Sequence, residues 1–268
     1  PPVIIWILAF LGGAAVLAFG IVAVKIIGAV FKIPLRNILG EGGSADFSNA
    51  YNIYATLLTI STAGLPVEEP PRIALTFDDG PYAPVGNRIM DCAEQYGGRV
   101  TFYVVGNRVN SYKSEIQRMY ANGHEIGNHT QDHKYLQKLG AQEIRQQVEA
   151  CNQAVAAITG EAPKTVRLPG GGKNSTVLAN ISQPIVLWNV DTLDWKTRNA
   201  ASSVQTVLNQ VKDGSVVLMH ELYNASGDAA VTIIPALVER GYQLVTVSEL
   251  AQFRGGLAGG TVYYSFHK

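Results

Sequence analysis

Short apolar runs alternate with longer amphipathic stretches from Arg72 to about residue 250. The runs predict β-strands, and the stretches between them, where apolar residues recur at helical spacing, predict α-helices. Several predicted helices end at a glycine, the usual stop signal. The predicted strands are 73–77, 100–105, 125–127, 165–168, 185–190, 216–219 and 244–247. The predicted helices are 85–96, 112–121, 141–158, 175–181, 202–211 and 229–240.

Strands that alternate with helices in this way build βαβ units, so we expect an α/β fold with a parallel sheet. About seven such units favour a closed or nearly closed (β/α)7-type barrel. An open, doubly wound sheet shows the same alternation, and the hydrophobic pattern does not separate the two architectures. The barrel domain is assigned to residues 72–250, and residues 251–268 are assigned to a C-terminal tail.

The N-terminal part of the chain has a different pattern. Residues 3–24 form a run of 22 residues without a charge, ended by Lys25. As a helix this run would be about 33 Å long and could cross a hydrocarbon core of about 30 Å, so it predicts a transmembrane helix. A cleaved signal peptide and a buried core helix are the alternatives. The expected division is a transmembrane and juxtamembrane segment at 1–39 and a linker at 40–71.

The orientation of this predicted helix stays open. Lys25, Lys32 and Arg36 lie on its C-terminal side, and alone they would place that side in the cytoplasm. The chain starts at Pro1 rather than at a methionine, so we expect further residues upstream, where the opposite flank would lie.

Composition narrows the classes of function. Hydrophobic residues make up 47% of the 268 residues, which excludes an intrinsically disordered chain. The 21 basic and 21 acidic residues balance, and no nucleic-acid partner is expected, because phosphate-binding surfaces need clustered Lys and Arg. Cys92 and Cys151 are too few for a disulfide scaffold or a cysteine-rich zinc site. We expect two buried thiols, with a single bridge left open if the domain lies outside the cytoplasm.

Polar side chains follow most of the predicted strands. In α/β barrels the C-terminal ends of the strands carry the active site, so these residues are the candidates for chemistry. They are Asp78 and Asp79 after the first strand, His129 and His133 after the third, Arg167 and Pro169 on the fourth, Asp191, Asp194 and Trp195 after the fifth, and His220 after the sixth.

Asp79, His129 and His133 form a candidate metal site. The i, i+4 spacing of the histidines would put both imidazoles on one side of a helical turn. Two imidazoles and one carboxylate leave coordination positions open on a divalent ion. The break at Gly80-Pro81 lets the chain turn, so that Asp78 and Asp79 need not face opposite ways. A solvated turn that caps the following helix is the alternative for the two aspartates.

Five motifs occur in a fixed order along the chain: TFDDGP at 76–81, HTxxH at 129–133, RxP at 167–169, DxxDW at 191–195 and an apolar strand that ends in His220. In these motifs the sequence resembles the polysaccharide deacetylase family, carbohydrate esterase family four, over roughly residues 72–250. The resemblance implies a distorted (β/α) barrel and metal-dependent removal of acetyl groups. The substrate it implies is N-acetylglucosamine in peptidoglycan, with chitin oligomers or O-acetylated xylan as alternatives. A catalytically silent carbohydrate-binding barrel is the alternative of a different class.

The chemistry of amide hydrolysis assigns a role to each motif. A divalent metal, with zinc expected and cobalt or another ion open, would lower the pKa of a bound water. Asp78 is the expected general base, and Arg167 is expected to orient it through two parallel hydrogen bonds. His220 is the expected general acid, with Asp191 as its carboxylate partner and Asp194 as the alternative.

The remaining candidates concern substrate and location. Trp195 and Leu218 are expected to form the wall that receives the acetyl methyl group, beside Pro169 and Gly170. Gly170 stands where the family often has an aromatic residue, so an aromatic wall of the groove is expected to be lost. The expected partners are a polysaccharide and, through the N-terminal helix, a membrane. We expect a monomer in the bacterial cell membrane with an extracytoplasmic catalytic domain, or a secreted enzyme if the helix is cleaved.

Overall fold

The computed structural model describes residues 69–267. The predicted transmembrane segment at 1–39 and the linker up to residue 68 lie outside this part of the chain. Within residues 69–267, no helix combines the length and the apolar character needed to cross a bilayer.

Parallel strands and covering helices make up the described part of the chain. The strands are β1 (Arg72–Asp78), β2 (Thr101–Val104), β3 (Glu125–Asn128), β4 (Ile185–Val186), β5 (Val190–Asp191), β6 (Val216–His220), β7 (Gln243–Leu244) and β8 (Val262–Tyr263). The helices are α1 (Ala83–Gln95), α2 (Gly106–Val109), α3 (Lys113–Ala121), α4 (Ala141–Thr159), α5 (Ser175–Ala179), α6 (Asp194–Thr197), α7 (Ala200–Gln210), α8 (Asn224–Glu239) and α9 (Val247–Gln252).

The main sheet has the strand order β3-β2-β1-β6-β5, and β7 pairs with the start of β1. Every pairing between these strands is parallel. Single bridges from Val166 to Asn128 and to Ile185 carry the ring on from β3 to β4. The described residues therefore form a distorted (β/α) barrel-type fold, as expected, and the open doubly wound alternative does not apply.

Two predicted strands differ in the structure, for two different reasons. The segment 165–168 makes one bridge residue on each side instead of a strand, since Pro169 begins a 3₁₀ turn. The segment 185–190 divides into β4 and β5. The guanidinium of Arg167 takes the carbonyl oxygens of Val186 and Leu187, at 2.9 and 3.0 Å, which a continuous strand would offer to a neighbour.

The last predicted strand, 244–247, is also shorter than expected. Thr246 caps α9, because its hydroxyl accepts from the Glu249 N–H while the Glu249 carboxylate accepts from the Thr246 N–H. This reciprocal arrangement is a capping box, and the Thr-x-x-Glu spacing is its sequence signature. The chain therefore leaves the strand conformation right after Leu244.

Strand alternation sets the two sides of the barrel wall. Along β1, Ile73, Leu75 and Phe77 face outward into the core shared with α1 and α8. The alternate residues, Thr76 and Asp78, face the interior, as the period of two along a strand requires. The same alternation in β6 sends Val217 and Met219 into the outer core and leaves Leu218 and His220 on the site side.

The segment assigned to a C-terminal tail packs into the domain. β8 pairs in parallel with β4, and Phe266 is buried in the cluster that contains Val216 and Tyr103. The packed domain therefore extends to residue 267 rather than ending at residue 250. Cys92 and Cys151 are free thiols, and Cys151 is buried as expected whereas Cys92 is half-buried.

Candidate active site

The two aspartates that end β1 face the same site. Asp78 is the last strand residue and points into the barrel interior, where it is 2% exposed. Asp79 has a left-handed backbone with φ +72°, which breaks the strand alternation. The carboxylates of Asp78 and Asp79 come within 3.6 and 3.4 Å of the same nitrogen, Nε2 of His129. The expectation that the turn brings both side chains to one place is confirmed.

His129 and His133 lie on a loop after β3, not on a helical turn. The expected helix does not form because Thr130 and His133 take left-handed backbone angles, with φ +69° and +54°. The side chain of Asn128 accepts from the Thr130 N–H at 2.7 Å and so closes a local turn that competes with a helix. The two imidazoles still face each other, with ring centroids 4.9 Å apart.

Asp79, His129 and His133 each offer a ligand atom, and these atoms lie within 4.8 Å of one another. Oδ1 of Asp79 is 3.1 Å from Nε2 of His133 and 3.4 Å from Nε2 of His129. This oxygen is buried and makes no hydrogen bond in the described part of the chain. A buried carboxylate oxygen without a partner, facing two imidazole nitrogens, is the environment that a cation satisfies. The three residues therefore fit a divalent metal ion.

The electronic state of this set also suits a cation. Burial raises the pKa of Asp79, but the nearby imidazoles of His129 and His133 outweigh burial, and the net pKa falls well below its usual range. His129 Nδ1 lies 2.9 Å from the carbonyl oxygen of Arg167. Because a carbonyl only accepts, Nδ1 carries the hydrogen, and Nε2 is left with its lone pair toward the site.

Arg167 is fully buried and holds Asp78 in place. Its Nη1 donates to Oδ1 of Asp78 at 2.9 Å and also to the hydroxyl of Thr76. The expected pair of parallel bonds to Asp78 is wrong, because Nε and Nη2 donate to main-chain carbonyls instead. The guanidinium also lies over the ring of Tyr103, 4.0 Å from its centroid. Arg167 is thus fixed on all sides, and its charge faces the Asp78 carboxylate.

The carboxylate partner of His220 is Asp194, not Asp191. Nδ1 of His220 lies 2.7 Å from Oδ1 of Asp194, and the His220 N–H donates to Oδ2 at 2.8 Å. Asp191 instead accepts the Leu193 N–H at 2.9 Å, in a turn that gives Leu193 a left-handed backbone. That turn carries the chain away from β5 and places Asp194, the first residue of α6, beside His220.

This partner shifts the titration of His220. Burial lowers the pKa of His220, but the hydrogen bond and charge of Asp194 outweigh burial, and the net pKa is raised. Burial raises the pKa of Asp194, and the bonds from His220 and Ser226 bring it below its usual value. The pair therefore favours an imidazolium next to a carboxylate, which is the state required of a general acid.

A cavity of about 330 Å³ joins these groups. Trp195, Leu218 and Gly170 line it, as expected, whereas Pro169 is buried and does not. The expected loss of an aromatic wall at Gly170 does not occur, because the ring of Tyr135 lies there. Sequence reasoning missed three aromatic residues of the lining, although each stands within three residues of a motif: Tyr135, Trp188 and Tyr223.

Glu221 is a further buried acid next to His220. Its Oε1 accepts from the Tyr82 N–H at 2.8 Å, and its Oε2 has no hydrogen-bond partner within the described chain. Burial raises the pKa of Glu221 to about 8. A Cβ built on Gly80 or Gly86 would lie 1.7 or 2.1 Å from the carboxylate oxygens, so both positions need glycine. The Glu221 side chain thus lies under the loop that carries Asp79 and away from the cavity lining.

Comparison with known proteins places this geometry among deacetylases. The family model for polysaccharide deacetylase matches residues 67–184. A peptidoglycan-N-acetylmuramic acid deacetylase, PdaC of Bacillus subtilis, is 38% identical over 231 residues, which are 84% of this chain and 50% of the relative. A peptidoglycan-N-acetylglucosamine deacetylase of Bacillus cereus is 34% identical over 188 residues, 68% of each chain.

A solved structure with a bound metal ion shares the fold. The family 4 acetyl xylan esterase from Clostridium thermocellum, in complex with a cobalt ion, is 32% identical with a TM-score of 0.68. The match covers 72% of this chain and 98% of that structure. The chain spans only half of the length of the Bacillus subtilis relative.

Proposed function

The chain belongs to the polysaccharide deacetylase family, and on that premise we propose that it is a metal-dependent N-deacetylase of a cell-wall polysaccharide. The proposed substrate is the N-acetylglucosamine of peptidoglycan. The observation that carries the proposal is that the Asp-His-His set, Asp78 and His220 line one cavity. Behind this lining, Arg167 pairs with Asp78 and Asp194 pairs with His220. A carbohydrate-binding module would not need an acid, a base and a residue that orients the base.

In the proposed reaction, water adds to the acetyl carbon, the carbon–nitrogen bond breaks, and acetate and a free amine leave. A divalent cation held by Asp79, His129 and His133 would polarise the acetyl carbonyl and lower the pKa of a water. Zinc is the ion we propose, because nitrogen and oxygen ligands in this number suit a catalytic zinc site. The cobalt complex of the related esterase supports a divalent ion in this family without selecting zinc.

The residues of the chain handle the protons. Asp78 accepts the proton of the attacking water, and Arg167 Nη1, 2.9 Å from Oδ1, holds its carboxylate in position. His220 gives a proton from Nε2 to the departing nitrogen, since Nδ1 is bonded to Asp194. Asp194 stabilises the imidazolium and fixes the ring orientation.

A second candidate is removal of the acetyl group from the N-acetylmuramic acid of peptidoglycan. It is favoured by the name of the Bacillus subtilis relative, whose match covers 84% of this chain. Both sugars carry the same acetamido group, so the proposed catalytic groups serve either reaction. The difference lies in the substituent next to that group, which the cavity rim must accept or reject.

Mass spectrometry of muropeptides, after treatment of purified cell walls with the zinc-loaded protein, tests the proposal. We expect the loss of an acetyl group from glucosamine, located by fragmentation, and no loss with Asp78→Asn. Loss from muramic acid would select the second candidate. Release of acetate from acetylated xylan or chitin oligomers alone would replace peptidoglycan as the substrate. Glycan binding without acetate release would leave only a carbohydrate-binding barrel.

For location, we propose that residues 3–24 anchor the enzyme in the bacterial cell membrane with residues 72–250 outside the cytoplasm. The length of the uncharged run and the extracytoplasmic position of peptidoglycan support this arrangement. Protease treatment of intact cells should degrade the domain while a cytoplasmic marker survives. Recovery of the domain in the medium would indicate secretion, and protection from protease would contradict the proposal.

A further inference from the structure

Tyr135 lies on the loop that carries two of the proposed metal ligands, two residues after His133. Its side chain is 49% exposed, and it lines the cavity of the site. Its ring centroid is 6.5 Å from that of His133. An exposed tyrosine offers a broad apolar face and a polar edge, so this residue is placed to touch a bound ligand.

The Tyr135 ring occupies space that a side chain at residue 170 would need. A Cβ built on Gly170 would lie 2.6 Å from Cε1 of Tyr135, and Gly170 has φ +63°. The ring and the left-handed backbone therefore both require glycine at this position. Since Tyr135 and Gly170 come from different loops, tertiary packing rather than local conformation sets the ring position.

The neighbouring glycine strengthens this packing. A Cβ on Gly172 would lie 2.3 Å from Nε2 of Gln137, which belongs to the same loop as Tyr135. Two glycines of one run thus accommodate two side chains of one loop. This contact limits the positions open to Tyr135, and an aromatic side chain that is held in advance loses little entropy when a ligand binds.

The other tyrosine of the lining differs in a decisive way. Tyr223 lies beside His220, with ring centroids 6.3 Å apart, but the Arg198 guanidinium covers its face at 3.2 Å from the ring centroid. The cation over Tyr135, Nζ of Lys138, lies 5.3 Å from the centroid, and half of the Tyr135 side chain stays exposed. Tyr135 on the metal side and Trp195 on the Asp194 side are therefore the exposed aromatic surfaces of this cavity.

The size of the cavity points to what Tyr135 meets. About 330 Å³ is at the small end of ligand pockets, so a polymer that places one sugar inside must continue over the rim. A pyranose ring has a face of C–H groups and hydroxyl groups around its edge. That distribution matches the face and the hydroxyl of a tyrosine.

We propose that Tyr135 binds the pyranose ring next to the sugar that loses its acetyl group, and so determines the preference for polymeric over small substrates. This inference rests on the proposed function. Tyr135 is here a specificity-determining residue that contacts substrate and has no part in proton transfer.

The test compares substrates and variants of the full zinc-loaded chain. Tyr135→Ala should lower kcat/KM on a β-linked N-acetylglucosamine tetramer about threefold to tenfold, mainly through KM. Hydrolysis of 4-nitrophenyl acetate, which has the acetyl group but no sugar, should be unchanged. Tyr135→Phe keeps the ring but loses the hydroxyl, and its rate on the tetramer should lie closer to that of the wild type than to that of Tyr135→Ala. The matched control is Tyr120→Ala, which removes a tyrosine with 45% exposure that lies outside this cavity and should change neither rate.

Calorimetric titration with the same tetramer separates this inference from the proposed function. If the wild type binds the tetramer but releases no acetate, and Tyr135→Ala weakens binding, the role of Tyr135 in sugar binding is supported and the deacetylase assignment fails. If the wild type releases acetate and Tyr135→Ala acts on the tetramer like the wild type, the role of Tyr135 in sugar binding is contradicted and the proposed function is not. Equal losses on the tetramer and on 4-nitrophenyl acetate would also overturn it, because the variant would then have disturbed the catalytic groups.

Discussion

The two ends of β3 carry buried or partly buried ionisable groups, but they differ in how completely these groups are bonded. At the start of the strand, the Glu125 carboxylate accepts four hydrogen bonds, from the N–H and hydroxyl of Ser248 and from the hydroxyls of Thr101 and Thr165. Past the other end, His129 and His133 meet Asp79, which follows β1 and keeps a buried oxygen without a hydrogen-bond partner in the described part of the chain.

The difference teaches how to separate a structural polar cluster from a reactive one. Each oxygen of Glu125 has two donors, so the carboxylate has no capacity left for a ligand. One carboxylate oxygen of Asp79 is buried and accepts no hydrogen bond, which is costly unless a ligand such as a cation binds it. Burial and shifted pKa values occur at both ends, and what distinguishes the site is an unbonded carboxylate oxygen that faces two imidazole nitrogens.

The largest effect is expected from Asp78→Asn at the reactive end. An amide does not accept the proton of the attacking water, so kcat should fall by about 10²–10⁴. Metal affinity should stay near the wild-type value, because Asp78 is not in the Asp-His-His set. Acetate release and zinc titration measure the two effects, with exposed Asp228→Asn as the control. Turnover at the wild-type rate would remove Asp78 as the base.

Asp194→Asn should act through His220. The Asp194 carboxylate raises the pKa of His220, so its loss should lower that pKa. Because a general acid works only while protonated, the alkaline limb of the pH–rate profile should move to lower pH. The rate should also fall, because an amide does not stabilise the imidazolium as the carboxylate does. Asp191→Asn should leave the alkaline limb in place, and a shift with that variant instead would reinstate Asp191.

Glu125→Ala should have the opposite signature at the saturated end. The substitution leaves the donors of Ser248, Thr101 and Thr165 without their acceptor, and the free energy of unfolding should fall by about 2 kcal/mol. The kcat of the folded enzyme should not change. Urea unfolding and acetate release, with Glu125→Gln as the size-matched variant, measure both quantities. A selective loss of kcat would mean that this end also takes part in the reaction.

The effect expected from Glu221→Gln is on stability, and it depends on pH. Folding raises the Glu221 pKa from its ordinary 4.5 to about 8. A raised carboxyl pKa favours the folded state fully below pH 4.5, and this contribution is lost as pH rises toward 8. The Tm of the wild type should therefore fall relative to that of the variant between these pH values. A constant difference in Tm would show that Glu221 does not titrate in this range.

The sequence predicts which residues form the site better than it predicts their hydrogen-bond partners and backbone conformation. Asp79, His129, His133, Arg167 and His220 each stand just after an apolar run, and barrel geometry alone brings strand ends together. Whether Asp191 or Asp194 pairs with His220 depends on a left-handed turn at Leu193, which the local sequence does not predict. The helical turn expected at 129–133 fails for a local reason, because the Asn128 side chain bonds the Thr130 N–H.

Long-range packing accounts for the other differences. Tyr135 and Gly170 stand far apart in the sequence, so an aromatic surface from one loop over a glycine of another is visible only after folding. The fifth predicted strand, 185–190, divides into β4 and β5 because the buried Arg167 takes main-chain carbonyls of that segment. Side chains that compete for main-chain partners are a tertiary effect, and apolar periodicity does not report them.

Zinc titration of the metal-free protein, followed by calorimetry and by acetate release in parallel, tests most directly whether Asp79 binds the metal ion that the reaction needs. The wild type and Asp78→Asn should each bind one zinc ion, and only the wild type should release acetate. Asp79→Ala should lose both binding and activity. Full acetate release by chelator-treated wild type, or undiminished zinc binding by Asp79→Ala, would contradict a metal-dependent reaction at this site.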